Sequence, residues 1–344
     1  MAYVDLLQQD ITLAANSATT YNFSDTLPPS QDGSPHMTHL GIQLDGSFAA
    51  AATLNSNLSG LIQQLKIQVG STVIIDWFAP ADIGSLDGVA QLGVLGQTLG
   101  GQDFCIITGD NSATFDFLAE FSLPVGLDAS RAHRINVTLG LYGVSDWSGA
   151  AGGFAAQTPT LNLVTNYGTS TEATIIGGRQ DNTIAGSSQR TCTILGKSGW
   201  QMLGILGCGA SYAADDFSEY KINNGQFRQL KVAQWRSIAG RYNRSPLVFL
   251  PAGSSASSTA GDVVEIQYQP FQTGVTFLNL FRISAGSDLQ VQITNSNAAS
   301  KISSMFPIYV APIGSGAGGR PKQTAGTKDS PTKTVLNESQ NSNV

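Results

Sequence analysis

Few residues in this sequence have the types and spacing that chemistry needs. The histidines are His36, His39 and His133 alone. None stands in H-E-x-x-H, which would hold zinc on a helix, or beside a serine in a nucleophile elbow. They read as structural or surface residues. Asp215, Asp216 and Glu219 form one acidic group, and Asp103 with Asp110 another. Paired carboxylates can exchange protons or hold calcium, but neither group has calcium-loop spacing, so both read as solvated turns. Gly196-Lys197-Ser198 resembles the end of a phosphate-binding loop, yet Thr191 occupies the place of the required glycine. Gly314 to Gly319 is glycine-rich like a dinucleotide loop, but a polar stretch follows it where a helix would have to open. No catalytic, cofactor-binding or metal-ligating residues are assigned, and no cofactor is expected.

Two other groups have binding potential. Arg228, Lys231, Arg236, Arg241 and Arg244 make the densest positive region, and Phe227, Leu230, Trp235, Ile238 and Tyr242 fall near a helical period across it. This predicts one inserted helix with a solvated basic face; as a functional patch it would face an acidic neighbour, a lipid headgroup or a genome. Trp77, Trp147, Trp200 and Trp235 could stack on sugars, but buried or interface aromatics are the commoner use in β-sandwiches.

The elements that must position these groups are strands. The chain has 344 residues, enough for two domains, with 41% hydrophobic and only 12% charged residues. That is too apolar for disorder and poor in the charge that keeps surfaces apart, so much of the surface is expected to meet protein. Its 38 glycines separate short apolar runs, a pattern of many tight turns between strands. A net charge of -6 argues against a broad nucleic-acid-binding face. Cys105, Cys192 and Cys208 match no metal spacing and read as buried thiols formed in a reducing cytosol. No leader-like segment and no run of about eighteen apolar residues is evident.

The chain appears twice over in outline. Leu40-Gly41-Ile42, running into Gly46-Ser47-Phe48-Ala49-Ala50, is echoed by Leu203-Gly204-Ile205, running into Gly209 and Ser211-Tyr212-Ala213-Ala214. Lys66-Ile67, with Trp77 downstream, is echoed by Lys221-Ile222, with Trp235 downstream. A weaker third pair sets 115–126 and 134–140 against 263–274 and 275–283. Same order and near-constant separation predict a duplicated domain. The linker-like stretch Ser148 to Ala156 places the boundary near residue 150, giving domains 1–150 and 151–313 and a flexible tail 314–344. Strands are expected at Ile62 to Val69 and Thr72 to Trp77 around a Gly70-Ser71 turn. Others are expected at 114–123, 134–142, 247–250, 263–270, 275–283, 289–294 and 308–311. The fold class is all-β: two tandem sandwiches with short helical insertions.

Leu61 to Asp76, a strand, a glycine turn and an Ile-Asp segment, resembles the first jelly roll of double jelly-roll major capsid proteins of tailless icosahedral DNA viruses and bacteriophages, some of which enclose a membrane. Gly70-Ser71 stands where that family usually has two glycines. The resemblance implies two eight-stranded jelly rolls side by side, a homotrimer forming a pseudo-hexagonal capsomer, and a virion made in host cytoplasm. It implies minor capsid or vertex proteins as partners, with the segment Ala2 to Phe23 and the tail after Gly314 acting as arms toward a membrane or genome. No small-molecule substrate and no enzymatic activity are expected. The alternative is an extracellular carbohydrate-binding or adhesive β-sandwich protein; a polysaccharide hydrolase would need two carboxylates across a groove.

Overall fold

Twenty strands are placed in the computed structural model, which describes residues 2–10, 19–48, 58–78, 92, 95–96, 99–108, 115–142, 160–209, 216–222, 229–242, 247–249, 265–267 and 275–313. The first nine are β1 (Ala2–Asp10), β2 (Thr19–Leu27), β3 (His36–Phe48), β4 (Ile62–Val69), β5 (Thr72–Phe78), β6 (Gln102–Thr108), β7 (Phe115–Asp128), β8 (His133–Leu141) and β9 (Thr160–Gly168). A single turn of helix, α1 (Leu58–Leu61), leads into β4. Then come β10 (Glu172–Ile176), β11 (Gln180–Ile184), β12 (Ser188–Ile194), β13 (Gln201–Cys208), β14 (Glu219–Ile222) and β15 (Leu230–Lys231). The helix α2 (Val232–Tyr242) precedes β16 (Leu247–Phe249), β17 (Glu265–Gln267), β18 (Val275–Ser284), β19 (Leu289–Asn295) and β20 (Lys301–Pro312). The expected strands and the inserted helix are therefore present, most of the strands longer than their apolar alternation marks.

Local chemistry accounts for these elements. In β4, Ile62, Leu65, Ile67 and Val69 are buried, while the intervening glutamines and Lys66 are not. The turn to β5 needs Gly70, whose φ of 59° is in the region that lacks a steric penalty only for glycine. Its N–H donates to the Arg134 carbonyl at 2.7 Å, tying the hairpin to β8.

The sheets run β1-β9-β3-β7-β6 and β2-β8-β4-β5, then β10-β20-β13-β18 and β12-β19-β14-β15, with a separate β16-β17 hairpin. Set aside β6 and β16-β17, and count β10 with β11 as one interrupted strand. Each half then has eight strands, ordered first-eighth-third-sixth in one sheet and second-seventh-fourth-fifth in the other. Two facing antiparallel sheets of this kind make a jelly roll, and here it occurs twice. The interruption between β10 and β11 has a cause on the facing strand. Pro307 in β20 has no N–H to offer, and the ladder lapses opposite it before resuming at Gln180.

The topology confirms two of the three sequence echoes and corrects the third. Leu40 to Ile42 and Leu203 to Ile205 lie in the third strands, and Lys66 and Lys221 in the fourth. The third pair is slipped by one strand, because β7 corresponds to β18 and β8 to β19. Trp77 lies in β5 and Trp235 in α2, so the tryptophans are not equivalents either. Ala2–Asp10, expected as an arm, is the first strand of the first roll and pairs with β9 from Ala2↔Tyr167 to Asp10↔Thr160. Because β9 also pairs with β3, the strand set changes hands between Gly168 and Glu172, later than the glycine-alanine stretch near 150. That stretch and the tail after Ile313 lie outside the described residues.

Between the rolls lies a sheet covered on both faces. In β20, residues 303–311 are all buried. Met305, Tyr309 and Ala311 belong to the second roll's core. Phe306 and Ile308, with Ile176, Leu206, Cys208 and Phe277, join the core of the first. At about 1.5–3 kcal/mol for each large apolar side chain, this shared layer outweighs any exposed ion pair between the rolls.

Candidate assembly surfaces

The histidines are engaged in holding the first roll. His36 Nδ1 accepts from the Ser170 backbone N–H at 3.2 Å, at the junction of the rolls. His133 Nε2 donates to the Asp128 carbonyl at 2.6 Å. His39 Nδ1 lies 3.2 Å from Thr38 Oγ1, and burial pushes its imidazole below the ordinary histidine pKa. Among the described residues no group of three or more His, Cys, Asp or Glu side chains could hold a metal.

The acidic turn differs from expectation. Asp216 is 3% exposed and pairs with Lys301 Nζ at 2.8 Å, so it is a buried ion-paired group instead of a solvated one. Its carbonyl also accepts from Asn297 Nδ2 at 2.8 Å, which fixes the strand entering β14. Asp110 and Asp215 lie outside the described residues, and Asp103 stands in β6. The Gly196-Lys197-Ser198 stretch is a strand connection, with the Gly196 N–H on Asp288 Oδ1 at 2.7 Å and Lys197 Nζ 5.1 Å from the Trp200 ring centre. The Gly314 to Gly319 stretch lies outside the described residues.

Trp77 and Trp235 are fully buried and Trp200 is 8% exposed, so these three offer no sugar platform; Trp147 is outside the described residues. Trp235 pins α2 to the second roll by donating Nε1–H to the Tyr220 carbonyl at 3.1 Å. Of the basic cluster, Lys231 is exposed and Arg236 half-buried; Arg228 and Arg244 are outside the described residues. Cys192 and Cys208 are free and buried, and burial raises both thiol pKa values, which disfavours the reactive thiolate. A cleft between the first roll's sheets, lined by Phe23, Ile42, Leu139 and Leu161 among others, has room for about 10 Å³, no more than one water needs.

What remains is surface. On the outward face of β2-β8-β4-β5, Asn22 stands beside Thr138, whose hydroxyl donates to it at 3.0 Å, and the same row continues to Lys66 and Asp76, 3.5 Å apart. On β12-β19-β14-β15 the equivalent row is Thr191, Gln292 and Lys221, and the next is Gln189, Thr294 and Glu219. Both faces are polar but sparsely charged, so bringing them against protein carries a small desolvation cost.

A second surface feature gave no sequence signal. In β18, Phe281 and Arg282 have φ values of 52° and 64°, in the left-handed region that non-glycine residues avoid. They form a bulge, since the pairing with β13 jumps from Gly204↔Asn279 to Met202↔Ile283. Asn279 Oδ1 accepts the Phe281 N–H at 2.9 Å, and Arg282 pairs with Glu172. Phe281 is left 52% exposed. Its sequence, Leu278-Asn279-Leu280-Phe281-Arg282-Ile283, reads as ordinary strand.

No family model matches the chain, and no curated protein matches it. Among solved structures it is similar to a quasi-atomic model of the PBCV-1 virus capsid, at 10% identity, 90% of this chain, 93% of that one and a TM-score of 0.43. It is also similar to the major capsid protein P2 of bacteriophage PM2, at 10% identity, covering 92% and 100% of the two chains, with a TM-score of 0.37. The mavirus major capsid protein matches at 11% identity, 89% and 86% coverage and a TM-score of 0.39.

Proposed function

We propose that this chain is the major capsid subunit of a tailless icosahedral virus, working by self-assembly with no catalytic step. The observation that carries the reading is the repeated strand order: two complete jelly rolls in one chain, fixed side by side by a sheet buried on both faces. Such a pair presents the same architecture twice, so a closed ring of copies has nearly equal edges in twice as many directions as it has chains. In a homotrimer those edges approach six-fold, which tiles a shell with one gene product. Low charge and the sparsely charged outward sheets suit extended protein contact, where many weak interfaces add.

On this reading the first roll runs to Gly168 and the second from Glu172 to Pro312. The tail after Gly314 reaches beneath the capsomer toward minor proteins, a membrane or the genome, and the protein resides in the virion. The test is the solution mass of the purified chain by light scattering across salt concentrations. A trimer near three times 36.0 kDa that progresses to sheets or shells is expected. A monomer at every concentration overturns the reading and favours the carbohydrate-binding or adhesive alternative.

A further inference from the structure

The sixth strand of each roll carries a bulge at the same end, opposite the third strand, and the two bulges differ in what they meet. In the first roll the pairing of β7 with β3 jumps from Pro124↔His39 to Leu127↔Met37, and the extra residue is Gly126 with φ 59°. A Cβ there would sit 1.8 Å from the Glu172 carbonyl oxygen, so the backbone of the second roll's first strand seats directly on this bulge. In the second roll the corresponding bulge holds Phe281 and Arg282 in the conformation that Gly126 adopts without strain. Phe281 is 52% exposed there.

From this repeat we infer that the Phe281 bulge is the seat for the first roll of a second copy of this chain. The first roll stands against it as the second stands against Gly126. The inference rests on the capsid reading and names its partner surface. The element equivalent to β10 is β1, because each pairs with the last strand of its roll. The start of β1 in the neighbouring copy, at Ala2 to Val4, therefore meets the bulge. This is a head-to-tail contact, which closes into a ring when the rotation between copies closes. Arg282, bound to Glu172 across the sheet, holds the bulge in place. A strained backbone that turns out a large aromatic is retained where the surroundings or a partner use it, and buried aromatics anchor interfaces.

The experiment is sedimentation equilibrium on the full chain and on Phe281→Gly, with Phe281→Asp as a second variant. Glycine fits a φ of 52°, so Phe281→Gly is expected to fold, and its melting temperature is read beside its assembly to separate lost association from lost stability. A rise of about tenfold or more in the concentration for half-assembly is expected for both variants, one factor of ten being about 1.4 kcal/mol. Wild type that assembles with Phe281→Gly unchanged overturns the inference and leaves the capsid reading standing. Wild type that never assembles overturns both. The occupant is tested with Tyr3→Cys/Phe281→Cys under oxidation, which should give chains linked to one another. Tyr3→Cys alone and Phe281→Cys alone, each keeping the three native cysteines and expected not to link, serve as controls. Absence of the link in an assembled double variant overturns β1 as the occupant.

Discussion

The two rolls share a strand order and differ mainly between their fifth and sixth strands. In the first, β5 is a seven-residue strand whose Trp77 enters the core directly. In the second, β15 has two residues and hands over to α2, whose Trp235 fills the core from a helix. The fifth strand lies at the edge of its sheet, so it is shortened without breaking a ladder on its far side. The lesson is that the duplicated scaffold tolerates replacement at sheet edges but keeps the central strands. In those, Gly41 and Gly204 sit so close to β7 and β18 that a Cβ would lie 3.0 Å from the Phe121 carbonyl oxygen and 2.7 Å from that of Leu278.

The strongest way to break the comparison is to remove what the rolls share. Phe306→Ala should cost about 3–5 kcal/mol. Because Phe306 lies between the rolls, both should melt in one lowered transition in urea; two separate transitions would show that the shared layer does not couple them. Next comes the pair of bulges. Gly126→Ala places a side chain at φ 59° against the Glu172 carbonyl, and the backbone alone costs about 1–3 kcal/mol. Phe281→Gly should move monomer stability the opposite way, by up to about 1 kcal/mol. Equal signs for the two in thermal melts would dissolve the contrast.

The tryptophans give a finer test. Trp235 Nε1 has its carbonyl partner, whereas Trp77 Nε1 is buried with no hydrogen-bond partner among the described residues. Trp235→Phe loses volume and a bond, and should cost about 1–3 kcal/mol. Trp77→Phe loses volume but also an orphaned donor, and should cost less by chemical denaturation. The smallest effect concerns pH. His39 has a folded-state pKa below its ordinary value because burial opposes its charge. The unfolded chain then binds the proton more readily, so stability present above about pH 6.5 declines as pH falls through that value toward the folded one. His39→Gln should flatten this part of the stability curve; an unchanged slope would place the proton uptake elsewhere.

Much of this was legible from residue spacing, for definable reasons. The β4-β5 hairpin could be read because one face is buried and Gly70 marks the turn. The Leu-Gly-Ile echo survived because its glycine touches a neighbouring strand and allows no larger residue. The third echo slipped because β7 and β8 alternate alike, and a period of two carries no information on which strand is which. In β20 only Ile308 to Ala311 was expected as strand, since a strand buried on both faces loses its alternation and Pro307 argues against one. Asp216 looked solvated because Lys301, its partner, is remote in sequence. The Phe281 bulge was invisible because its backbone conformation is imposed by Asn279 and β13, with no glycine to announce it.

The sheet buried on both faces also has a consequence for history. Cutting the chain between Gly168 and Glu172 would leave each half with a bare apolar face made for the other. Once Phe306, Ile308, Leu206 and Phe277 had become core on their second side, neither roll could return to life as a separate gene without restoring a polar coat on that side. The duplication thus acts as a ratchet: each apolar substitution in the shared layer makes reversal to single rolls harder, while the sheet edges stay free to diverge.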